Sequence, residues 1–381
     1  MDESVNVLSN EPYIMIPIYI TLSVTYVFII AGSIGYIIYK PKKKPYKSDN
    51  VEFVVVTVAD NRVKNVLKES LENLRRRFKN YLVWVVVDEG VELMDYLSRM
   101  SFSDPYLRLV VVPQTYIRSC KGKARAMKYF IEYFVEPNNW YVFLDDDNVV
   151  LDDHFLYEIP YYEEIGYVAF NPVLKPRRGN STLAYVIDWI RYFNDLTLYR
   201  FFTGFLGKPF LGLHGELLGI KGYVLKEINF NHSSIAEDFS LAIELVKNDY
   251  KTWQSRTIVS IKSPNSLSDL QKQRARWFKG VLKDLKHAPN LMRAIVAVKS
   301  FLWVALVVIV ITVIVTKSYY NVLVASLIII NSLYHWSAYA YGAYKSGKLK
   351  YFLLAPIAWL IEVSSIFRVP AVKDFYVINK N

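Results

Sequence analysis

Long apolar segments constrain the fold of this chain most, because a helix of about 20 apolar residues spans the hydrocarbon core of a bilayer. Three segments are long enough and almost uncharged: Tyr13–Tyr39, Ala294–Val315 and Tyr320–Tyr344. A fourth, Phe352–Phe367, is shorter and contains Pro356 and Glu362, so it predicts either another span or a bent, partly re-entrant segment. The chain is therefore expected to be an integral membrane protein.

Basic residues cluster beside these segments. The clusters are Lys40, Lys42, Lys43, Lys44 and Lys47 after the first segment, and Lys345, Lys348 and Lys350 after the third. The positive-inside rule places both clusters in the cytoplasm, and it leaves the N-terminus and the turn Thr316-Lys317-Ser318 outside. No basic stretch precedes the first segment and no small-residue cleavage site follows it, which favours a retained anchor over a signal peptide.

These patterns predict three parts of the chain. We expect an N-terminal transmembrane anchor over residues 1–47, a cytoplasmic domain with interfacial helices over residues 48–290, and a C-terminal transmembrane region over residues 291–381. The formal net charge of +11 favours contact with membrane lipids or with phosphates. Nucleic acid is a less favoured partner, because no zinc-finger, RNP-type or basic-heptad pattern occurs. The single cysteine, Cys120, excludes an intramolecular disulfide and a thiolate zinc cluster.

The central region alternates short apolar runs with helical patterns. The runs predict strands over Val51–Val58, Tyr81–Val87, Leu107–Val112 and Trp140–Leu144, and the periodicity predicts helices over Lys64–Arg77, Ala124–Phe134 and Ala236–Asn248. This alternation predicts an α/β fold, with a mostly parallel sheet and helices on both of its faces. Ligands bind at the carboxyl ends of the strands in such sheets, and Asp88 and Asp145 follow two of the apolar runs.

One aromatic-rich segment, Ala184–Leu206, also carries charged residues, which are Asp188, Arg191, Asp195 and Arg200. This mixture is typical of a helix that lies in the membrane interface rather than one that crosses the bilayer. An amphipathic helix packed on the core of the central domain is an equally good interpretation.

Three consecutive aspartates, Asp145-Asp146-Asp147, follow the apolar run Trp140–Leu144. Aspartate is a poor strand former, and adjacent carboxylates repel one another, so a cation is expected to compensate the cluster. A divalent metal bridged to a diphosphate is the best candidate, because hard cations take oxygen ligands and often retain substrate phosphates. A calcium site or an ordinary acidic loop would fit the triplet alone.

The other polar motifs are weak individually. Glu237-Asp238 would suit the solvated first turn of a helix, where acids complement the helix dipole. Gln273-Arg274-Ala275-Arg276-Trp277 would suit an ordinary helix, and His214 taken alone is more often a packed or capping histidine. The order of these motifs along the chain, framed by membrane segments, is more specific than any one of them.

In that order, the motifs resemble those of family 2 glycosyltransferases of the processive-synthase type, the clan of the cellulose, hyaluronan and mannan synthases. The resemblance covers about residues 50 to 285 and implies a GT-A (Rossmann-like) fold. It implies that Asp88 holds the nucleotide base and that Lys123 contacts the nucleotide. Asp145 and Asp147 would bind a Mg²⁺ or Mn²⁺ ion, and Asp146 would lie with them at the nucleotide sugar.

The same resemblance implies roles for the later motifs. Glu237-Asp238 would supply the catalytic base, with Ala236 in place of the usual Thr, and Asp238 would remove the proton of the acceptor hydroxyl. Arg276 would bind the diphosphate with its planar fork of donors, within a Q-x-x-R-W motif formed by Gln273, Arg276 and Trp277. Direct attack on an α-linked donor inverts the configuration, which predicts a β-linkage.

Two further blocks, Leu213–Leu218 and Ser234–Asp238, are similar to those of the egghead-type β-1,4-mannosyltransferases. The similarity implies GDP-mannose as the donor and a glycan or lipid-linked acceptor. In that context His214 becomes a candidate acceptor or metal-proximal contact, and Trp277 offers a face on which a sugar ring stacks, although ordinary packing would also explain it. The richness in Lys, Ile and Tyr indicates a prokaryotic plasma-membrane protein.

Other functions remain open at this level. The same reaction with UDP-glucose or UDP-GlcNAc fits the motifs, since none of them fixes the base or the hexose. A glycoside hydrolase would need only two acids flanking the bond and leaves Asp88 and Q-x-x-R-W unexplained. A non-catalytic scaffold or transporter would use charged residues in its spans to mark a pathway, and the spans contain few.

Overall fold

The computed structural model describes residues 12–116, 122–228, 236–315 and 322–372. The helices are α1 (Pro12–Ile37), α2 (Lys64–Arg77), α3 (Met94–Ser103), α4 (Lys123–Phe134), α5 (His154–Glu164), α6 (Thr182–Asn194), α7 (Gly222–Glu227), α8 (Glu237–Lys247), α9 (Leu267–Asp284), α10 (Asn290–Val315), α11 (Val322–Ser346) and α12 (Ala355–Ser364). A π-helix, Asp195–Phe205, continues α6, and short 3₁₀ helices cover Leu285–His287, Leu349–Tyr351 and Ser365–Ala371.

One mixed, mostly parallel sheet organises the central region. Its strands are β1 (Val51–Val56), β2 (Leu82–Asp88), β3 (Leu107–Val112), β4 (Trp140–Leu144), β5 (Val149–Val150), β6 (Tyr167–Arg177), β7 (Leu218–Lys221) and β8 (Lys251–Lys262). They lie in the order β3-β2-β1-β4-β7-β6-β8-β5. The first half, β3-β2-β1-β4, is entirely parallel, which confirms the α/β prediction and the four predicted strands.

The second half of the sheet contains both parallel and antiparallel strand pairs. Strand β7 is antiparallel to both of its neighbours, β4 and β6, whereas β6 and β8 pair in parallel over most of their length. Gly219 in β7 packs against the ring of Phe170, and a Cβ at that position would lie only 1.9 Å from it. The glycine therefore allows the aromatic side chain of β6 to lie over the neighbouring strand.

Helices cover both faces of the sheet, as the sequence predicts. On one face, Leu67 of α2, Leu97 of α3 and Phe155 of α5 are fully buried against the strands. On the other face, Phe130 of α4 and Leu245 of α8 are fully buried in a second core cluster. The burial of both faces explains why the parallel strands consist of continuous apolar runs rather than alternating ones.

Three helices in the described part of the chain are long and apolar enough to cross a membrane: Met15–Ile37, Asn290–Val315 and Val322–Ser346. Helix α12 has only ten residues and leads into a 3₁₀ helix. At 1.5 Å per residue it is too short to span a bilayer, so the bent alternative for Phe352–Phe367 describes it better than the span. The expected external residues 1–11 and the turn at 316–318 lie outside the described residues.

The aromatic-rich segment packs on β6 and β8 of the sheet and on the apolar helices α1 and α11. The packing on the sheet agrees with the interpretation as a helix on the core, and the location in the membrane interface stays a prediction. The π-helix packs so closely on α1 that a Cβ at Gly35 would lie 2.2 Å from the carbonyl oxygen of Thr197. Likewise, a Cβ at Gly342 of α11 would lie 2.3 Å from the carbonyl oxygen of Val186 in α6. Its charged residues Asp188 and Asp195 are buried, so both need partners within the protein.

Candidate active site

A cavity of about 510 Å³ opens at the carboxyl ends of β1, β2 and β4. Its wall includes every residue that the sequence singled out for the site: Asp88, Lys123, Asp145, Asp146, Asp147, His214, Glu237, Asp238, Gln273, Arg276 and Trp277. The parallel half of the sheet places the first five of these groups, because strands that run the same way end at one edge. The remaining groups reach the cavity from segments up to about two hundred residues away in sequence.

The three aspartates after β4 have different surroundings. Asp145 is partly exposed and forms an ion pair with Lys123. Asp146 accepts a hydrogen bond of 2.9 Å from the hydroxyl of Thr57, which follows β1. Asp147 is buried, and its two oxygens accept from the side-chain amide of Asn148 and from the backbone N–H of Lys262, each at 3.3 Å. The triplet is therefore tied to three different parts of the chain.

Lys123 lies at the centre of the acidic groups. Its ammonium pairs with Asp145 and lies 3.3 Å from a carboxylate oxygen of Glu237. Burial lowers the pKa of Lys123, but Asp145 and Glu237 outweigh that effect and raise it above its usual range, so the side chain is charged. A cation thus compensates the acidic cluster, which is what the Asp triplet required.

Asp238 is the neighbouring acid in the cluster, at the start of α8. Burial raises its pKa to about 7, with help from the negative charges of Glu237 and Glu216, while Lys123 and His214 oppose the shift. One of its oxygens accepts a 2.8 Å hydrogen bond from the backbone N–H of Phe239. A carboxyl group with this pKa can accept or release a proton near neutral pH.

The backbone of the turn that carries His214 lies next to the side chains of Lys123 and Asp238. A Cβ at Gly215 would lie 3.1 Å from the Nζ of Lys123 and 3.9 Å from Oδ2 of Asp238. The turn is strained, since Leu217 has a φ of +50°, which a branched side chain rarely adopts. Glycine at 215 therefore keeps the space beside Lys123 and Asp238 free of side-chain atoms.

His214 is held from two sides. Its Nε2 lies 2.6 Å from Oδ1 of Asp195, and its backbone N–H donates to Oδ1 of Asn171 at 2.9 Å. Burial lowers the pKa of His214, but the negative charge of Asp195 outweighs it and raises the pKa. The ring of Tyr199 lies 4.5 Å from the imidazole. No sequence pattern links His214 with the π-helix, which supplies both Asp195 and Tyr199.

Glu216 pairs with Arg191 of α6. Burial raises the pKa of Glu216, but the guanidinium of Arg191 outweighs it, so the pKa falls below its ordinary value. The same guanidinium lies 4.9 Å from the ring centroid of Trp277. Both members of the pair line the cavity, and neither was predicted as a site residue.

Helix α9 contributes its motif to the cavity wall. Arg274, Arg276 and Trp277 all line the cavity, and Arg274 is in addition buried and donates 2.8 Å hydrogen bonds to Asp188 of α6 and to Glu362 of α12. The guanidinium of Arg274 lies 4.6 Å from the ring centroid of Trp277. The arginine that the motif emphasises, Arg276, is thus distinct from the one that joins α9 to its neighbours.

Asp88 ends strand β2 and lines the cavity. Its side chain is half-exposed and pairs with Arg125 of α4. The Arg125 guanidinium also donates to the carbonyl oxygens of Pro113 and Tyr116. Arg125 was not predicted as a site residue.

The comparisons with known proteins identify the family. A model described as glycosyl transferase family group 2 matches residues 140–361, more than half of the chain. The chain belongs to this family. The match begins at the first residue of β4, so it includes the Asp triplet, Glu237-Asp238 and the motif of α9, while Asp88 and Lys123 lie outside it.

Two curated relatives carry a more specific description. The glycosyltransferase is 25% identical over 280 residues to the β-1,4-mannosyltransferase bre-3 of Caenorhabditis elegans, which is 69% of this chain and 59% of that protein. It is also 25% identical over 263 residues to the β-1,4-mannosyltransferase egh of Drosophila melanogaster, which is 64% of this chain and 54% of that protein. The chain therefore spans less than two thirds of the length of these relatives.

A solved structure supports the fold. The mannosyltransferase PcManGT from Pyrobaculum calidifontis, determined in complex with GDP-Man and Mn²⁺, superposes with a TM-score of 0.56 and 15% identity. The superposition covers 93% of the glycosyltransferase and 98% of that chain. The GT-A fold predicted from the sequence is confirmed, with its mixed sheet and its apolar helices.

The donor set of the glycosyltransferase fits a hard divalent cation. Within the described residues, no three His, Cys, Asp or Glu side chains are already grouped as a metal site. Asp145 and Asp147 offer only oxygen atoms, which Mg²⁺ and Mn²⁺ prefer, and the remaining ligands of such ions commonly come from substrate phosphates and water. The ammonium of Lys123 against Asp145 indicates that this position attracts a positive charge.

Proposed function

We propose that this glycosyltransferase moves mannose from GDP-mannose to a glycan or lipid-linked acceptor with inversion, forming a β-linkage. One observation carries the proposal. Asp145, Lys123 and Glu237 form a continuous chain of ion pairs that ends beside Asp238, and all four line one cavity. A sugar nucleotide with its diphosphate at one end of this chain would place its anomeric carbon near the other end.

The donor binds at the sheet edge in this proposal. Asp88 accepts hydrogen bonds from the base, and Asp146, held by Thr57, braces the loop that receives the nucleotide. Lys123 and Arg276 lie on the cavity wall, where their positive charges attract the diphosphate. Arg276 has the planar fork of donors that suits phosphate oxygens.

Asp145 and Asp147 would hold Mg²⁺ or Mn²⁺. When bound, such an ion stabilises the negative charge that grows on the leaving diphosphate. Chelation of the metal is expected to abolish nucleotide release, and addition of Mn²⁺ or Mg²⁺ is expected to restore it. Full activity in excess chelator would overturn the metal assignment while leaving the rest of the proposal intact.

Asp238 acts as the general base, with Glu237 beside it. The acceptor hydroxyl gives its proton to the Asp238 carboxylate as its oxygen forms a bond to the anomeric carbon. The bond from that carbon to the diphosphate oxygen breaks on the opposite side, and GDP leaves with the electron pair. General base catalysis of this kind contributes about 10²- to 10⁴-fold in rate.

The acceptor lies near the turn of His214 and the motif of α9. His214, fixed by Asp195, is placed to contact an acceptor hydroxyl. Trp277 and Gln273 line the same part of the cavity. Arg191 and Arg274 both lie against the Trp277 ring and hold it in place at the cavity wall, where we assign it to contact with the sugar.

Mannose and the β-linkage rest on the names of the relatives together with the blocks around His214 and Asp238. The same cavity would admit UDP-glucose or UDP-GlcNAc, which are the alternatives to test. The membrane setting is proposed from the charges: residues 1–47 anchor the chain, residues 48–290 lie in the cytoplasm, and residues 291–381 return to the membrane. A prokaryotic plasma membrane fits the composition.

The decisive experiment is a donor screen on the purified full chain in detergent. GDP-mannose, UDP-glucose and UDP-GlcNAc are each incubated with Mn²⁺ or Mg²⁺ and a mixed glycan and lipid acceptor pool, and nucleoside diphosphate release and product linkage are measured. Release with GDP-mannose alone and a β-mannosyl product are expected. Preference for a UDP-sugar would overturn the donor, and no release with any donor would favour a non-catalytic membrane protein.

A further inference from the structure

The cavity does not end at the acidic cluster. It continues between the apolar helices, where its wall is formed by Phe28, Lys299, Ser300, Leu302, Tyr334 and His335. Phe28 belongs to α1, the next three residues belong to α10 and the last two belong to α11. One continuous space therefore joins the carboxyl edge of the sheet to the interior of the helix bundle.

This inner end of the cavity contains polar groups without partners. Among the described residues, the Tyr334 hydroxyl and Nε2 of His335 are buried and form no hydrogen bond. Lys299 forms no hydrogen bond or close ion pair with any described residue either. Polar and charged groups within membrane-spanning helices are costly, and they commonly mark the site of a ligand.

The charged groups near Lys299 do not provide a hydrogen-bonded partner for its ammonium group. Glu362 is the acid that faces it, but the oxygens of Glu362 already accept hydrogen bonds from Arg274 and from Tyr339. Lys299 is also close enough to His335 to act on it electrostatically. The inner end thus offers an ammonium group and nearby O–H and N–H donors, a combination that favours anionic oxygen atoms over a neutral ligand.

We propose that this pocket, formed by Lys299, Ser300, Tyr334 and His335, binds the phosphate of a lipid-linked acceptor. The lipid chain lies against apolar wall residues such as Phe28 and Leu302, and the part of the acceptor beyond the phosphate extends toward Asp238. This last placement rests on the proposed transferase function, whereas the phosphate pocket itself does not. A neutral glycolipid would leave Lys299 without a hydrogen-bonded counterion.

The test is equilibrium binding of radiolabelled farnesyl phosphate to the full chain in a neutral detergent. Saturating GDP, UDP and Mg²⁺ are present, so that the nucleotide end of the cavity is filled. Farnesol, with the same chain and no phosphate, is the matched neutral ligand. Farnesyl phosphate is expected to bind at least tenfold more tightly than farnesol, because a charge-assisted hydrogen bond changes affinity by about ten- to a hundredfold.

Three variants assign the binding to the pocket. Lys299→Gln is expected to weaken farnesyl phosphate by ten- to a hundredfold and to leave farnesol unchanged, whereas Lys299→Arg retains most of the affinity. Lys345→Gln is the control, since Lys345 is exposed at the end of α11 and does not line the cavity. Equal loss in the Lys345 variant would show a general effect of surface charge and would overturn the assignment.

Other outcomes also decide the proposal. Equal binding of farnesol and farnesyl phosphate by the wild-type protein overturns it, even if Lys299→Gln does not fold. If inorganic phosphate displaces farnesyl phosphate at a similar concentration, the pocket is a site for free phosphate. That result would overturn the proposal that the bound phosphate belongs to a lipid. The donor screen tests the transferase function separately. Its outcome does not affect this binding measurement, which does not depend on nucleotide release.

Discussion

At the residue scale, the central feature is an aspartate whose pKa is raised to about 7 beside a lysine that stays charged. Burial, with the negative charges of Glu237 and Glu216, raises the pKa of Asp238. The ammonium of Lys123 pairs with Asp145 and Glu237, and we assign the proton-accepting role to Asp238. The difference in role between adjacent acids comes from their surroundings rather than from their residue type.

Replacement of Asp238 by asparagine tests that role directly. We expect Asp238→Asn to reduce turnover by at least about 10²-fold, because the amide cannot accept the proton. Donor affinity, measured by calorimetry with the nucleotide sugar, should change little. Asp249→Asn is the matched control, because the carboxylate of Asp249 is almost fully exposed. Near-normal turnover of purified Asp238→Asn would contradict the assignment.

The pH dependence follows from the same group. A general base works when deprotonated, so kcat should rise with pH through a midpoint of about 7, the pKa of Asp238. Glu216 contributes to raising that pKa, so Glu216→Gln should move the midpoint to lower pH. Initial rates between pH 5 and 9 measure both curves. A midpoint that moves upward in Glu216→Gln would be incompatible with this account.

At the element scale, helix α9 carries two arginines with different surroundings. Both arginines line the cavity, but Arg274 is also held between two buried acids of different helices, Asp188 and Glu362. The motif Q-x-x-R-W selects Arg276 and indicates no role for Arg274. The positions of α6 and α12 decide which arginine is structural.

A pair of variants in α9 separates the two. Arg274→Met leaves two buried carboxylates without their cation, which costs about 3–5 kcal/mol for a buried pair. We expect a large drop in melting temperature in detergent. Arg276→Met should melt close to wild type but lose nucleotide release with GDP-mannose. If Arg276→Met proved the less stable of the two, the structural role assigned to Arg274 would be wrong.

At the scale of the whole molecule, the π-helix connects the membrane helices to the active-site cavity. Its outer side packs on α1, and its residues Asp195 and Tyr199 hold His214. Helix α1 therefore supports the cavity wall through the π-helix. This arrangement also explains why the cavity reaches between the apolar helices.

Gly35 tests that connection. A Cβ there would lie 2.2 Å from the carbonyl oxygen of Thr197 and 2.7 Å from the backbone nitrogen of Phe201. Gly35→Val should therefore separate α1 from the π-helix, with a loss of about 1–3 kcal/mol from overpacking and reduced transfer. The control is Ser33→Val, on the exposed face of the same helix. Equal melting temperatures and rates for both variants would disprove the coupling.

Much of the fold was predictable because local patterns dictate it. The helix Lys64–Arg77 and the strands Leu107–Val112 and Trp140–Leu144 have the predicted bounds, since buried parallel strands require continuous apolar runs and helices require a period of 3.6 residues. Strands β5 to β8 were not predicted. Strands β5 and β7 have only two and four residues, too few to show a pattern, whereas β6 and β8 have 11 and 12 residues but contain many polar residues among the apolar ones.

The sequence by itself determined the apolar helices, the parallel half of the sheet and the order of the acidic and basic motifs, because these depend on residues near one another in the chain. Only the tertiary structure decided the partners: Asp195 with His214, Arg191 with Glu216, and Arg274 with Asp188 and Glu362. It also decided that Lys299 and His335 share the cavity with Asp238. The ion pairs among these contacts join residues up to 88 positions apart, and only chain folding brings those charges within reach of one another.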